Sequence, residues 1–228
     1  MKLKLDSNKI PAIVISGKMG YGKDYVGNLL LKTFNNLEKI SFADSLKEEI
    51  EFIIKEVNKN TSRERLASTM MVTIDEIAPI YKAIQNYSNP KDLSIKNKNS
   101  TIRFLLQYWG TDVRRKHDVD YWVNKTKLKI KMINQLDKVA LITDGRFPNE
   151  IQGISDLKGI TIKLDISDKK QKENLLKRDG VLPNKEAFYH SSEISYLDYR
   201  NFDLTLNESI LAKDELILEE INKIIDSN

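Results

Sequence analysis

A glycine-rich segment ending in a lysine is the part of this sequence whose residue types and spacing point most directly to chemistry. Residues 17–23, Gly-Lys-Met-Gly-Tyr-Gly-Lys, match the pattern GxxxxGK and are called the phosphate loop below. In such a loop the backbone amides point at a phosphate, the following helix contributes its positive end, and the lysine reaches the β and γ phosphates. An ordinary glycine turn beside a surface lysine would carry the same letters.

The elements around the phosphate loop agree with phosphate binding. The β-branched run Ala12-Ile13-Val14-Ile15 predicts a buried strand that stops at the loop. After Lys23, apolar residues recur at helical spacing at Val26, Leu29, Leu30 and Phe34. The order strand, loop, helix is the one that the phosphate-binding mechanism requires.

Asp24 follows the lysine, where a Ser or Thr hydroxyl normally holds Mg²⁺. Its carboxylate can hold the ion directly or through water, or it can cap the helix by accepting amide hydrogen bonds. Both interpretations stay open at the level of sequence.

A second group of functional side chains follows the apolar run 138–143. Asp144 ends that predicted strand, and Gly-Arg-Phe-Pro-Asn-Glu follows it as residues 145–150. Proline favours the first turn of a helix, so Arg146 is placed in the loop and Glu150 in the first helical turn. An arginine fork binds phosphate, while carboxylates hold metal-bound water or a sugar. The alternative is a surface cluster of salt bridges.

Segment 103–122 concentrates arginine and tryptophan in a chain that has few of either. It contains Arg103, Arg114, Arg115 and both tryptophans, Trp109 and Trp122. Aromatic faces can stack on a nucleobase while arginines hold a phosphate. We expect Trp109 to pack in the core and Trp122 to lie at the nucleotide-binding site.

The periodicity predicts an α/β fold. Strands are predicted over 12–15, 37–42, 138–143, 159–166 and 202–206, mostly with helices between them. Such alternation implies right-handed crossovers and a parallel sheet covered on both faces. The length of 228 residues fits a single globular domain.

The composition excludes several classes of protein. With 40% hydrophobic and 31% charged residues the chain can bury a core, and with no cysteine it has neither disulfides nor thiolate chemistry. A net charge of +4, spread along the chain, is not a nucleic-acid-binding balance. No apolar stretch reaches the roughly 18 residues of a membrane span, and no signal peptide is visible, so we expect a cytoplasmic protein without a membrane partner.

Four segments together resemble the phage-type deoxynucleoside monophosphate kinases, part of the P-loop nucleoside monophosphate kinase group. They are GKMGYGKD, LLQYWGTDVRR with DYWVN, TDGRFPNE, and His190-Ser191-Ser192-Glu193, which is similar to that family's H-x-S-E element. The resemblance implies a three-layer P-loop kinase fold with a helical substrate-binding region and a lid. It implies transfer of the γ-phosphoryl of ATP to a deoxynucleoside monophosphate with Mg²⁺, in the host cytoplasm if phage-encoded, and it suggests a homodimer.

The resemblance also assigns residues to roles. For ATP it implies Lys18, Met19, Gly20, Tyr21, Gly22, Lys23, Asp24 and Tyr25, with Asp24 as the metal candidate. For the monophosphate it implies Phe42, Ala43, Arg103, Gly110, Thr111, Trp122, Asp144, Arg146 and Glu150. Lys23, Asp144, Arg146 and Arg178 would act on the transferred group.

The resemblance divides the single domain into a core, an insertion and a lid. The core would be about residues 10–43, 101–166 and 200–228, the substrate-binding insertion about 44–100, and the lid about 167–199. A cationic lid that closes over phosphates excludes water, although the lysine-rich stretch 168–178 is also typical of a solvated helix.

Three functions remain open on the sequence alone. The first is a deoxynucleoside monophosphate kinase. The second is a kinase of another small acceptor such as dephospho-coenzyme A, because fold does not fix substrate. The third is a module that binds nucleotide without catalysis, for which steeply salt-dependent DNA binding would be the sign.

Overall fold

The computed structural model describes residues 3–97, 99–183, 188 and 191–227. His190 and residues 184–187 of the predicted lid lie outside the described residues. The chain forms two compact units, a sheet unit of residues 1–42 and 123–228 and a helical unit of residues 43–122. Residues 101–122, assigned above to the core, belong to the helical unit.

The strands of the sheet unit form one five-stranded parallel sheet, as the sequence predicted. They are β1 (Ala12–Ser16), β2 (Leu37–Ile40), β3 (Val139–Gly145), β4 (Ile160–Asp165) and β5 (Leu204–Asn207). Their order in the sheet is β2-β3-β1-β4-β5.

The α-helices are α1 (Lys23–Thr33), α2 (Ala43–Asn58), α3 (Arg63–Met70), α4 (Ile74–Gln85), α5 (Ser100–Gln107), α6 (Tyr121–Gln135), α7 (Pro148–Ser155), α8 (Asp168–Asp179), α9 (Ser191–Ile194) and α10 (Asp214–Ser227). A π-helical segment, Tyr108–Arg115, continues α5. In the described ranges, no helix is long and apolar enough to cross a membrane.

Helices cover both faces of the sheet. Ile13 and Ile15 of β1 belong to one buried cluster, with residues of α1 and α10. Ala12 and Val14 point to the other face, into a cluster with residues of α6 and α7. Successive residues of a strand point to opposite faces, so a run of consecutive apolar residues is typical of a strand buried on both sides. The sheet unit is therefore a three-layer α/β structure.

The connection that follows β1 and the connection that follows β3 run in opposite directions across the sheet. From β1 the chain passes beyond β3 to β2, whereas from β3 it passes to β4 on the other side of β1. In open parallel sheets such a reversal leaves a crevice at the carboxyl ends of the two strands, where ligands bind. The phosphate loop leaves the carboxyl end of β1, and residues 144–147 lie at that of β3.

The helical unit has a core of its own. Aliphatic side chains of α2, α3, α4 and α5 pack with Trp109 and Trp122, of which 0% and 3% remain exposed. The indole N–H of Trp109 donates to Glu49 Oε2 at 2.8 Å, and that of Trp122 donates to the Gly110 carbonyl at 3.0 Å. Trp109 is a core residue, as predicted, and Trp122 also packs in this core.

Candidate functional site

The phosphate loop has the backbone that its glycines allow. Gly20 and Gly22 have φ angles of 77° and 93°, in the left-handed region that favours glycine. The Tyr21 amide donates to the Lys18 carbonyl at 3.2 Å and closes a turn inside the loop, while the Tyr21 ring is buried in the sheet core. The chain can therefore turn sharply between β1 and α1.

Several amides of this loop have no protein partner. Within the described part of the chain, the N–H groups of Gly20, Gly22, Lys23 and Asp24 donate to no protein acceptor. The last two belong to the first turn of α1. The aligned peptide dipoles of this 11-residue helix give its N-terminal end a partial positive charge. The loop and helix together present donors that suit an anion.

The Lys23 side chain folds back over the phosphate loop, of which Lys23 is the last residue. Its Nζ donates to the carbonyls of Gly17 at 2.6 Å and Lys18 at 2.9 Å. The pKa of Lys23 is lowered to about 8, chiefly by burial; Glu193 and the aspartates at positions 24 and 144 act in the opposite direction, and the Arg146 charge contributes to the lowering. The lysine is a desolvated cation close to the free amides.

The Asp24 carboxylate accepts hydrogen bonds from side chains and, in the described ranges, from no backbone amide of α1. Its Oδ1 accepts from Lys39 Nζ at 2.8 Å and from Thr143 Oγ1 at 3.2 Å, and the Lys39 hydrogen bond is the main cause of its lowered pKa. In the described ranges its Oδ2 accepts no hydrogen bond, and no backbone amide of α1 donates to it. An exposed carboxylate beside the phosphate loop is a ligand of the kind that Mg²⁺ takes when it binds one or two carboxylates together with phosphates.

The carboxyl end of β3 and the loop after it contact the segment that follows β2 and the first turn of α7. Asp144 Oδ1 accepts the Phe42 amide at 3.2 Å, and the Phe42 ring is buried. Glu150, which is 3% exposed, accepts the amides of Arg146 at 2.9 Å and Phe147 at 3.2 Å. Glu150 therefore holds the backbone of the loop that carries Arg146.

Glu193 of α9 connects Arg146 to the phosphate loop. Its Oε2 accepts the Met19 amide at 2.7 Å, and its Oε1 forms an ion pair with the Arg146 guanidinium. The Glu193 carboxylate is buried, whereas the Arg146 side chain remains 39% exposed. The sequence signalled Glu193 through the H-x-S-E resemblance alone and gave it no role.

Two other residues predicted to act near ATP are engaged elsewhere in this structure. Tyr25 is exposed and its hydroxyl donates to Asp214 of α10. The Arg178 guanidinium binds the neighbouring Asp179 carboxylate at 2.8 and 2.6 Å. The hydrogen bond to Asp179 is the main cause of the raised pKa of Arg178, and the charge of Asp24 contributes to it.

The remaining candidate substrate residues belong to the helical unit: Ala43, Arg103, Gly110, Thr111 and Trp122. Arg103 and Thr111 are exposed. Gly110 and Trp122 are buried, and a side chain at Gly110 would meet Leu46 at 3.0 Å. Trp109 and Trp122 are both buried in the core of the helical unit, so their indole faces contact protein and are not exposed for stacking on a nucleobase.

The sheet unit thus places the phosphate loop with Lys23, Asp24, Asp144 and Arg146 at one edge of the sheet, and Glu193 links Arg146 to the loop. A scan of protein-family models and a search of curated proteins both gave no match. The geometry of this site and the sequence pattern carry the functional argument.

Proposed function

We propose that this protein is a deoxynucleoside monophosphate kinase that transfers the γ-phosphoryl of ATP to a deoxynucleoside monophosphate, giving ADP and the diphosphate. The observation that carries the proposal is the phosphate loop, several of whose amides donate to no acceptor in the described part of the chain. This loop, which ends with Lys23, lies at the crevice where the strand order reverses. Phosphoryl transfer depends on positioning and charge neutralisation, and this arrangement offers both.

The chain's own groups divide this work. The amides of Gly20, Gly22 and Lys23 would bind the phosphates of ATP, and the Lys23 ammonium would neutralise charge on the transferred group. Arg146, held by Glu193, would face the same charge from the β3 side. Asp144, tied to the Phe42 amide, would orient the acceptor.

Asp24 is the proposed magnesium ligand. A magnesium ion held there would supply positive charge that neutralises the phosphates. Oδ1 of Asp24 would keep its hydrogen bonds to Lys39 and Thr143, which leaves Oδ2 for the ion or for its water.

A kinase of another small acceptor, of the dephospho-coenzyme A type, is the second candidate. Trp109 and Trp122 lie in the core of the helical unit, so the paired tryptophans no longer argue for a nucleobase acceptor. The phosphate loop and Lys23 serve either acceptor equally.

A coupled ADP-release assay with ATP and Mg²⁺ tests the proposal against dTMP, dGMP, dCMP, dAMP, their ribose counterparts and dephospho-coenzyme A. We expect release that depends on a deoxynucleotide. Release with dephospho-coenzyme A alone would select the second candidate. Release that is independent of acceptor would show ATP hydrolysis without transfer, and no release would favour a module that only binds nucleotide; either result would refute the kinase proposal.

The Lys23→Met variant tests the role of the phosphate-loop lysine in the same assay. It removes the ammonium but keeps the aliphatic chain, so we expect a folded protein with turnover reduced at least about a hundredfold. Normal turnover in the folded variant would refute the assignment of the phosphate loop.

A further inference from the structure

One face of α8 is bound to the phosphate loop. Gln171 Nε2 donates to the Met19 carbonyl at 2.8 Å, and Asn174 Nδ2 donates to the Gly20 carbonyl at 2.8 Å. Together with Leu175 these residues are spaced i, i+3 and i+4, so they share one side of the helix. Two consecutive carbonyls of the loop are thus held by side-chain amides.

The contact between α8 and the phosphate loop is close and largely buried. Gln171 is 3% exposed and Leu175 is fully buried. A Cβ atom at Gly20 would lie 2.8 Å from Leu175 Cγ and 3.2 Å from the Gln171 carbonyl oxygen. Glycine at position 20 is therefore needed both for its φ angle and for the approach of α8.

The two hydrogen bonds fix the direction of the next amides in the loop. In a trans peptide the C=O and N–H groups point in opposite directions. Because the Met19 carbonyl points at α8, the Gly20 N–H points away from α8, and it has no protein acceptor in the described chain. Likewise the Gly20 carbonyl points at Asn174, and the Tyr21 N–H points away to the Lys18 carbonyl.

We propose that Gln171 and Asn174 are positioning residues that hold the phosphate loop in its anion-binding conformation. This inference rests on the proposed nucleotide site. Gln171 orients the Gly20 amide that would bind phosphate, and Asn174 maintains the internal turn of the loop. The lysine-rich helix α8 is in this way fixed beside the loop by its neutral residues, whereas its charged side chains remain exposed.

The variants Gln171→Met and Asn174→Leu test this role, because each keeps side-chain volume and removes the donor. Gln152→Met is the matched control, since Gln152 lies on α7, is exposed, and donates to Asp156. Three quantities are measured for each folded variant: the Kd for ATP, the KM for ATP against that for the acceptor, and amide exchange of Met19 and Tyr21 in the ligand-free protein. The Met19 amide donates to Glu193 and the Tyr21 amide donates to the Lys18 carbonyl, so exchange at these two positions reports on the conformation of the loop.

We expect each of the two α8 variants to raise the Kd and KM for ATP about tenfold, which corresponds to one lost hydrogen bond. The KM for the acceptor should change less than about twofold, because the loop does not hold it. Exchange of Tyr21 should accelerate most in Asn174→Leu, and Gln152→Met should match the parent protein.

Unchanged ATP affinity together with unchanged loop exchange in folded variants would overturn the inference. An equal loss for ATP and acceptor would also overturn it, because that is the result of general loosening. If the parent protein binds no ATP while the variants still accelerate loop exchange, the proposed function fails and the positioning of the loop stands.

Discussion

At the residue scale, the protonation of Lys23 links nucleotide binding to pH. Burial lowers the pKa of the ligand-free lysine to about 8, so at pH 9 it is about nine-tenths neutral. Bound phosphates favour the charged ammonium and raise its pKa, so we expect ATP binding at pH 9 to take up close to one proton. At pH 6.5 the lysine is already protonated and should take up none.

Calorimetry of ATP binding in two buffers that differ in ionisation enthalpy measures this proton uptake. Lys23→Arg is the control, because a guanidinium stays charged throughout this range and should take up no proton. Equal uptake in Lys23→Arg and in the parent would assign the proton to another group.

Glu193 is the second residue whose charge affects the site. It pairs with Arg146, and its charge opposes the lowering of the Lys23 pKa. In Glu193→Gln both cations lose a neutralising charge, so we expect ATP to bind about three- to tenfold more tightly, roughly 1 kcal/mol. The free energy of unfolding should fall by about 1–3 kcal/mol, since Arg146 and the Met19 amide lose a charged partner.

Titration calorimetry and denaturant unfolding measure the two effects of Glu193→Gln, with the exposed Glu173→Gln of α8 as control. Weaker ATP binding in Glu193→Gln would mean that Glu193 acts mainly by orienting Arg146 toward the phosphates, and not by neutralising it.

At the scale of elements, the packing of α8 on the phosphate loop makes Gly20 less replaceable than Gly22. Both have positive φ, so an alanine costs about 1–2 kcal/mol of backbone strain at either position. At Gly22 a Cβ atom meets nothing within 4 Å, whereas at Gly20 it overlaps Leu175. We expect Gly20→Ala to lower the free energy of unfolding by about 1–3 kcal/mol more than Gly22→Ala.

Urea unfolding of both variants measures that difference, and Leu175→Ala combined with Gly20→Ala tests its cause. Removal of the leucine side chain makes room for the new methyl group, so the double variant should be more stable than the sum of the two single effects. Strict additivity would show that Leu175 is not the obstacle.

The sequence predicted the elements whose signal is local. The β-branched run of β1, the glycines of the loop and the helical spacing in α1 are adjacent in the chain, and all three elements were predicted within a few residues. The packing of α8 on the phosphate loop was not predicted. Gln171 and Asn174 are polar and contribute to no apolar periodicity, so the sequence of α8 is typical of a solvated helix. The π-helical segment Tyr108–Arg115 likewise has no local signature that separates it from an α-helix.

At the scale of the whole molecule, strand order and the surroundings of the tryptophans depend on contacts distant in sequence. Alternating strands and helices predicted a parallel sheet, but the order β2-β3-β1-β4-β5 follows from crossovers that the sequence does not specify. Trp122 was expected at the site because of its neighbours in sequence. It packs instead in the core of the helical unit, where Gly110 accepts its indole N–H.

The helical unit contains a nearly buried ion pair between Glu49 and Arg114. Glu49 accepts from Arg114 Nε at 3.0 Å, from Trp109 at 2.8 Å and from the Tyr121 hydroxyl at 2.6 Å. The Arg114 guanidinium lies 4.5 Å from the Trp109 ring centroid and 4.7 Å from that of Tyr121. Burial and Glu49 raise the pKa of Tyr121, which stays protonated as the donor.

Loss of the Glu49 charge should therefore destabilise residues 43–122 as a unit. Glu49→Gln leaves the Arg114 charge, whose side chain is 10% exposed, without its carboxylate, and we expect a loss of about 3–5 kcal/mol. Native-state hydrogen exchange should show faster exchange throughout 43–122, with β1 and β3 unchanged, because each unit buries its own core. The exposed Glu51→Gln of α2 is the matched control, and equal acceleration in the strands would mean that the two units unfold together.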